Sequence, residues 1–153
     1  MKNEHQLIII GGGPAGLTAG IYAARSRLST LLIEKGLAGG QIMNAELVEN
    51  FPGFPQGISG LELGQSMHQQ AVKFGVETLM AEVTGIEVKG EQKIIKTSEG
   101  DFIARAAIIA SGSERHKLGV PGEDDLTGKG VSYCATCDGA FFRDRTVAVV
   151  GGG

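Results

Sequence analysis

An α/β fold, a parallel sheet flanked by helices with a small antiparallel layer, is the fold class that this 153-residue sequence predicts. Three observations predict it. Residues 7–10 and 28–33 are short, continuous apolar runs, the pattern of parallel strands covered on both faces. Between them a glycine turn leads into an alanine-rich helical segment. Further on, short segments broken by single glycines alternate in the manner of an antiparallel meander.

Taken in order, residues 7–10 stop abruptly at Gly11-Gly12-Gly13-Pro14-Ala15-Gly16, and residues 17–26 follow with Leu17, Ile21 and Ala24 at helical spacing. Residues 28–33 close at Glu34, so residues 7–34 read as one βαβ unit. The loop 35–41 carries three more glycines. Residues 44–58 hold Pro52 and Pro55 and predict an irregular loop, long enough to suggest a role of its own. Ser59-Gly60-Leu61-Glu62 is a capping box, and Leu63, Met67, Ala71 and Phe74 form one apolar stripe behind it, which predicts a helix over 60–74. Residues 82–88, 93–97 and 101–104, punctuated by Gly90 and Gly100, predict the meander. Residues 107–110 return to the buried-strand pattern. The composition then turns polar up to the Pro121-Gly122 turn, dividing the chain into residues 1–115 and 116–153. Residues 146–150, followed by Gly151-Gly152-Gly153, repeat the opening pattern of apolar strand and glycines, so a second dinucleotide-binding domain is expected to begin there.

Composition excludes several classes. A 42% hydrophobic and 20% charged chain is too apolar for disorder, and no 18-residue apolar run predicts a membrane span. A net charge of -3 gives no general attraction to nucleic acid. The polar start, residues 1–6, lacks the basic region and apolar stretch of a secretory signal, and the expectation is a cytoplasmic protein. In a reducing compartment its two cysteines require a chemical explanation.

Two motifs carry chemistry. Gly11-x-Gly13-x-x-Gly16 between strand and helix permits a tight turn and lets the backbone meet a pyrophosphate at a helix N-terminus. Glu34, at the end of the next strand, would accept hydrogen bonds from a ribose diol. This is a Rossmann-like fingerprint, and it does not by itself separate FAD from NAD. Cys134-Ala135-Thr136-Cys137-Asp138 is the second. Two thiols at this spacing can open and close an intramolecular disulfide, and the carboxyl group of Asp138 can supply or remove the proton. Zinc fits poorly, because it takes four ligands while His5, His68 and His116 are scattered and there is no second Cys-x-x-Cys. A structural bridge would close too small a loop to stabilise much. Arg143-Asp144-Arg145 reads as a solvated turn, His116 as a surface histidine, and Phe141 and Phe142 as core packing.

The order GGGPAGLTAGIYAAR, LIEKGLAGGQI, ENFPGFP, SGSERHKLGVPGE, CATCDGAFF and VAVVGGG resembles the low-molecular-weight thioredoxin reductases across essentially the whole sequence. The resemblance implies that Gly11, Gly12, Gly13, Pro14, Ala15 and Gly16 hold the FAD pyrophosphate and Glu34 its adenosine ribose. It places Gly39, Gly40 and Gln41 alongside the cofactor, Asn50 near the flavin and Val83 at the adenine end. Ala110-Ser111-Gly112 would close over the cofactor, where the family usually has Ala-Thr-Gly. It also implies that Cys137 faces the flavin, that Cys134 exchanges with thioredoxin, and that Asp138 is the acid. Gly151 and Gly153 would open an NADPH fingerprint whose remaining residues are missing, so the sequence is expected to be a truncated one: the first part of an FAD-binding domain and the start of an NADPH-binding domain.

The implied function is thioredoxin-disulfide reductase, with electrons passing from NADPH through FAD and the Cys134-Cys137 dithiol to thioredoxin, in a homodimer. The competing readings are a non-catalytic flavin-binding or docking fragment, and a flavin-disulfide reductase drawing on another donor such as ferredoxin. No metal, nucleic acid or membrane partner is expected.

Overall fold

In the computed structural model, residues 2–151 are described, the side chains of Thr136 and Cys137 excepted. The chain divides into two compact units, Met1–Gly112 and Ser113–Gly153.

The first unit opens with β1 (Glu4–Ile10), α1 (Pro14–Arg25) and β2 (Thr30–Glu34), the βαβ unit read from the sequence. Pro14 occupies the first turn of α1, where its missing N–H costs nothing. A 3-10 turn (Gly40–Asn44) and an irregular loop lead to α2 (Gly60–Lys73), whose first turn is capped by Ser59 Oγ accepting from the Glu62 N–H at 3.2 Å. Then come β3 (Glu77–Met80), β4 (Val83–Lys89), β5 (Gln92–Thr97) and β6 (Gly100–Ile109). They form one six-stranded sheet in the order β3-β2-β1-β6-β5-β4. Its β3, β2, β1 and β6 run parallel, and β4, β5 and β6 form the antiparallel meander.

Alternation along β1 builds two cores. Leu7 and Ile9 face Leu17, Leu63, Met67 and Ala71 of the helices, whereas Ile8 and Ile10 face Leu31, Ile33, Ile95, Phe102 and Ala104. Both faces of β1 are therefore covered, as the continuous apolar run required. Each of the larger side chains among them contributes about 1.5–3 kcal/mol by leaving water.

Three expectations need correction. The segments 101–104 and 107–110 are one strand, because Arg105-Ala106 contains no breaker: β6 pairs antiparallel with β5 from Gly100 to Ala104 and parallel with β1 from Ile103 to Ile109. Its far end is not buried either, since Ile108 and Ile109 are 38% and 68% exposed and no second ladder flanks them among the described residues. Residues 146–150 form no strand, and Val147, Val149 and Val150 are exposed. An apolar pattern makes a strand only where a neighbouring strand takes up its backbone N–H and C=O groups.

The second unit contains α3 (Glu123–Leu126), α4 (Ala135–Asp138) and a 3-10 turn (Gly139–Phe142). Among the described residues no helix is long and apolar enough to cross a membrane.

Candidate functional site

The glycine turn lies at the carboxyl end of β1, and its glycines serve different ends. A Cβ on Gly16 would lie 1.9 Å from the Gly11 carbonyl oxygen, and one on Gly11, whose φ is +105°, 2.2 Å from the carbonyl oxygen of Ala110. These two are demanded by the fold itself. Gly13 is not: its φ is -74°, and an added Cβ would meet only Gly40 Cα, at 3.8 Å. A position where the protein leaves room for a side chain, yet has none, beside the first turn of a helix, fits the close approach of a pyrophosphate.

Glu34 ends β2 and is tied to this turn. Its carboxylate accepts from the Gly12 N–H at 2.6 Å and the Gly36 N–H at 3.1 Å. An ionised carboxylate offers about four acceptor positions, so two remain for a diol. Beside it opens a crevice of about 200 Å³ lined by residues including Gly11, Glu34, Lys35, Glu82, Val83 and Ser111. It lies outside the carboxyl ends of parallel strands, where open α/β sheets take their ligands.

The structure thus brings together Gly11, Gly12, Gly13, Pro14, Ala15, Gly16, Glu34 and Val83. Gly39 and Gly40 join them, since Gly39 N–H donates to the Gly12 carbonyl at 2.7 Å and a Cβ on Gly40 would lie 2.7 Å from Gly13 Cα. Ala110 abuts Gly11 through its carbonyl. Gln41 and Asn50 are exposed and do not line the crevice, and Gly112 follows the crevice residue Ser111 with a φ of +68°. Gly151 is an exposed residue of the second unit, and Gly153 lies outside the described residues. Glu82 was missed by sequence reasoning; its place just before Val83 at the strand ends is the signal that could have found it.

In the second unit Cys134 is disulfide-bonded and partly exposed. Asp138 ends α4, with its N–H donating to the Cys134 carbonyl at 2.9 Å. The side chain of Cys137 lies outside the described residues. Phe141 is 75% exposed, correcting its expected core position: the short second unit leaves most of its ring in solvent. His116 and the Arg143-Asp144-Arg145 turn are exposed as read.

Next to Cys134, Tyr133 donates its hydroxyl to Glu123, which also accepts from the N–H groups of Leu118 at 2.8 Å, Gly119 at 2.7 Å and Val120 at 3.3 Å. Glu123 is only 5% exposed, and a carboxylate so enclosed is stable only with such donors. The Tyr133 hydroxyl and then the Leu118 N–H hold its carboxyl below the usual carboxylate range. The same bond, with burial and the carboxylate charge, pushes Tyr133 from 10.0 to about 12. A depressed carboxyl stabilises the fold above its unfolded value and loses that contribution as pH falls through the folded one. A raised phenol does the reverse, losing its contribution as pH rises from 10.0 through about 12. The clamp is therefore complete from the unfolded carboxylate range up to pH 10. In an ultraviolet titration Tyr133→Phe is expected to remove a tyrosinate step near 12, and a step that persists unchanged in the variant would contradict the clamp.

A parallel sheet with a glycine turn and an acidic strand end, followed in the chain by a Cys-x-x-Cys unit, is the combination of a dinucleotide-binding fold with a dithiol motif. The profile of the pyridine nucleotide-disulphide oxidoreductases matches residues 5–153, and the chain belongs to that family. It is 51% identical over 149 residues to the thioredoxin reductase of Bacillus subtilis, covering 97% of this chain and 47% of that protein. Against the thioredoxin reductase of Mycolicibacterium smegmatis it is 50% identical over 152 residues, covering 99% and 49%. Among solved structures, the thioredoxin reductase of Streptococcus pyogenes matches with a TM-score of 0.81 at 48% identity, over 94% of this chain and 47% of that one. The chain spans about half the length of the curated relatives it matches.

Proposed function

We propose that this chain carries the flavin-binding turn and the dithiol of a thioredoxin-disulfide reductase, which passes electrons from NADPH through FAD and Cys134-Cys137 to thioredoxin. What carries this reading is the co-occurrence of the glycine turn and CATCDG in one stretch that is about half identical to thioredoxin reductases.

FAD, when bound, supplies a two-electron carrier between a nicotinamide and a disulfide. The residues that would hold it are Gly11 to Gly16 at the pyrophosphate, Glu34 at the ribose and Val83 at the adenine end. Gly39, Gly40 and Gln41 would flank it, with Ala110 and Gly112 closing the turn and Asn50 toward the flavin. Gly151 and Gly153 would belong to the NADPH fingerprint.

The dithiol half is conventional exchange. The Cys134 thiolate attacks the thioredoxin disulfide, and one thioredoxin sulfur leaves with the electron pair and takes up a proton. The Cys137 thiolate then displaces the other, re-forming the Cys134-Cys137 disulfide and releasing dithiol thioredoxin. Asp138 exchanges protons with these sulfurs. The exposed ring of Phe141 suits an apolar contact with the incoming thioredoxin. The resemblance adds a homodimer and a cytoplasmic setting to this reading.

The test is a visible spectrum of the purified chain after incubation with FAD, before and after stoichiometric dithionite, with thiols counted at each stage. Bound flavin bands and two thiols gained on reduction are expected. A chain that retains no FAD would overturn the flavin assignment, and bound flavin without new thiols the link to the dithiol.

A further inference from the structure

Ser132 lies two residues before Cys134, outside the Cys-x-x-Cys motif, and holds both ends of the α4 turn. Its Oγ accepts from the Cys134 N–H at 3.1 Å and stands 2.5 Å from Asp138 Oδ2. The Cys134 carbonyl is also within reach, at 3.3 Å. A hydroxyl has a single proton to donate, so the two acceptors compete for it. The carboxylate is nearer and charged, and the Cys134 carbonyl already accepts the Asp138 N–H.

We propose that Ser132 is a positioning residue for Asp138. Its hydroxyl fastens the carboxylate to the Cys134 backbone, and turns to the Cys134 carbonyl when Asp138 carries a proton, so that one rotor serves both states of the acid. The proposal rests on the dithiol reading above. When the disulfide opens, an attacking thiolate bonds to Cys134 Sγ as the Cys134-Cys137 bond breaks. The Cys137 sulfur leaves with the electron pair and takes the proton of the Asp138 carboxyl, which becomes a carboxylate. Ser132 then returns its hydroxyl to that carboxylate, holding it in place to receive a proton when the disulfide closes again.

The experiment follows the opening of the disulfide in the oxidised full chain by dithiothreitol, in Ser132→Ala, Ser132→Thr, Asp138→Asn and the Ser132→Ala/Asp138→Asn double variant. Loss of the hydroxyl in Ser132→Ala is expected to slow opening about fivefold, the size one hydrogen bond carries. Ser132→Thr, which keeps the hydroxyl, is expected to restore the rate. In the Asp138→Asn background the alanine is expected to cost nothing more, because Ser132 acts through Asp138. A wild-type rate in Ser132→Ala, no rescue by threonine, or full additivity in the double variant would each overturn the proposal. If the wild-type disulfide itself cannot be opened to two thiols and re-formed, the dithiol reading fails and this assignment with it. That outcome is visible before any variant is compared.

Discussion

Replacing Cys134 by serine is expected to abolish exchange with thioredoxin, lowering its rate by roughly a thousandfold or more, because a hydroxyl at neutral pH supplies almost no anion to attack a disulfide. The fold should survive, since Cys134 is partly exposed and its unit relies on the Glu123 clamp rather than on this side chain. The companion variant orders the two sulfurs. Cys137→Ser leaves Cys134 able to attack but leaves nothing to resolve the product, so a mixed disulfide with thioredoxin should accumulate and be visible on a non-reducing gel. Accumulation in Cys134→Ser instead would reverse the assigned roles. Exchange that persists in both variants would remove the dithiol from the reaction.

The second large effect separates two glycines three positions apart. In Gly16→Ala the new methyl would lie 1.9 Å from a backbone oxygen, so the glycine turn or α1 must move. Overpacking of this kind costs roughly 3 kcal/mol, or about 10 °C in Tm for a chain of this size. Gly13→Ala meets no such obstacle, as its φ of -74° suits alanine and the nearest atom is 3.8 Å away. Its fold should hold to within about 1 kcal/mol, the scale of an N-cap change. Flavin binding, by contrast, should weaken at least about tenfold, since the methyl occupies the space left for the pyrophosphate. Thermal unfolding of the apo chains and FAD titration by fluorescence measure the two quantities. A Gly13→Ala chain that binds FAD as the parent does would refute the assigned cradle.

The parts legible in the sequence were those written locally. A continuous apolar run, a glycine turn and a capping box each act within a few residues, and β1, α1, β2 and α2 follow from them. What was not legible depended on partners distant in the chain. β3 escaped because Glu77–Met80 has no fully buried residue and pairs only with β2, so it carries no two-sided apolar pattern. The halves of β6 looked like two strands because their neighbours differ. Residues 146–150 had the right pattern without the neighbour that would make it a strand.

The same division holds at the site. The glycines and Glu34 were readable because their spacing is itself the signal. Ser132, Glu123 and Tyr133 were not, because polar side chains that bond across a loop leave no period in the sequence.

The position of β1 in the sheet bears on the order in which the protein folds. β1 leaves the ribosome before the other five strands of the sheet, and its pairing with β2 can form once residues 30–34 follow. Its other ladder, from Glu4 with Ile103 to Ile10 with Ile109, must wait for nearly the whole first unit to be made. Closing so long a loop costs entropy before any contact repays it, and topologies of this kind fold slowly. The β5–β6 hairpin, joined by a short turn, is complete by itself and can add to β1 as a preformed piece. A central strand is thus made before the other five strands of its sheet and is among the last to be enclosed, and in the interval its isoleucines are the segment a chaperone would find exposed.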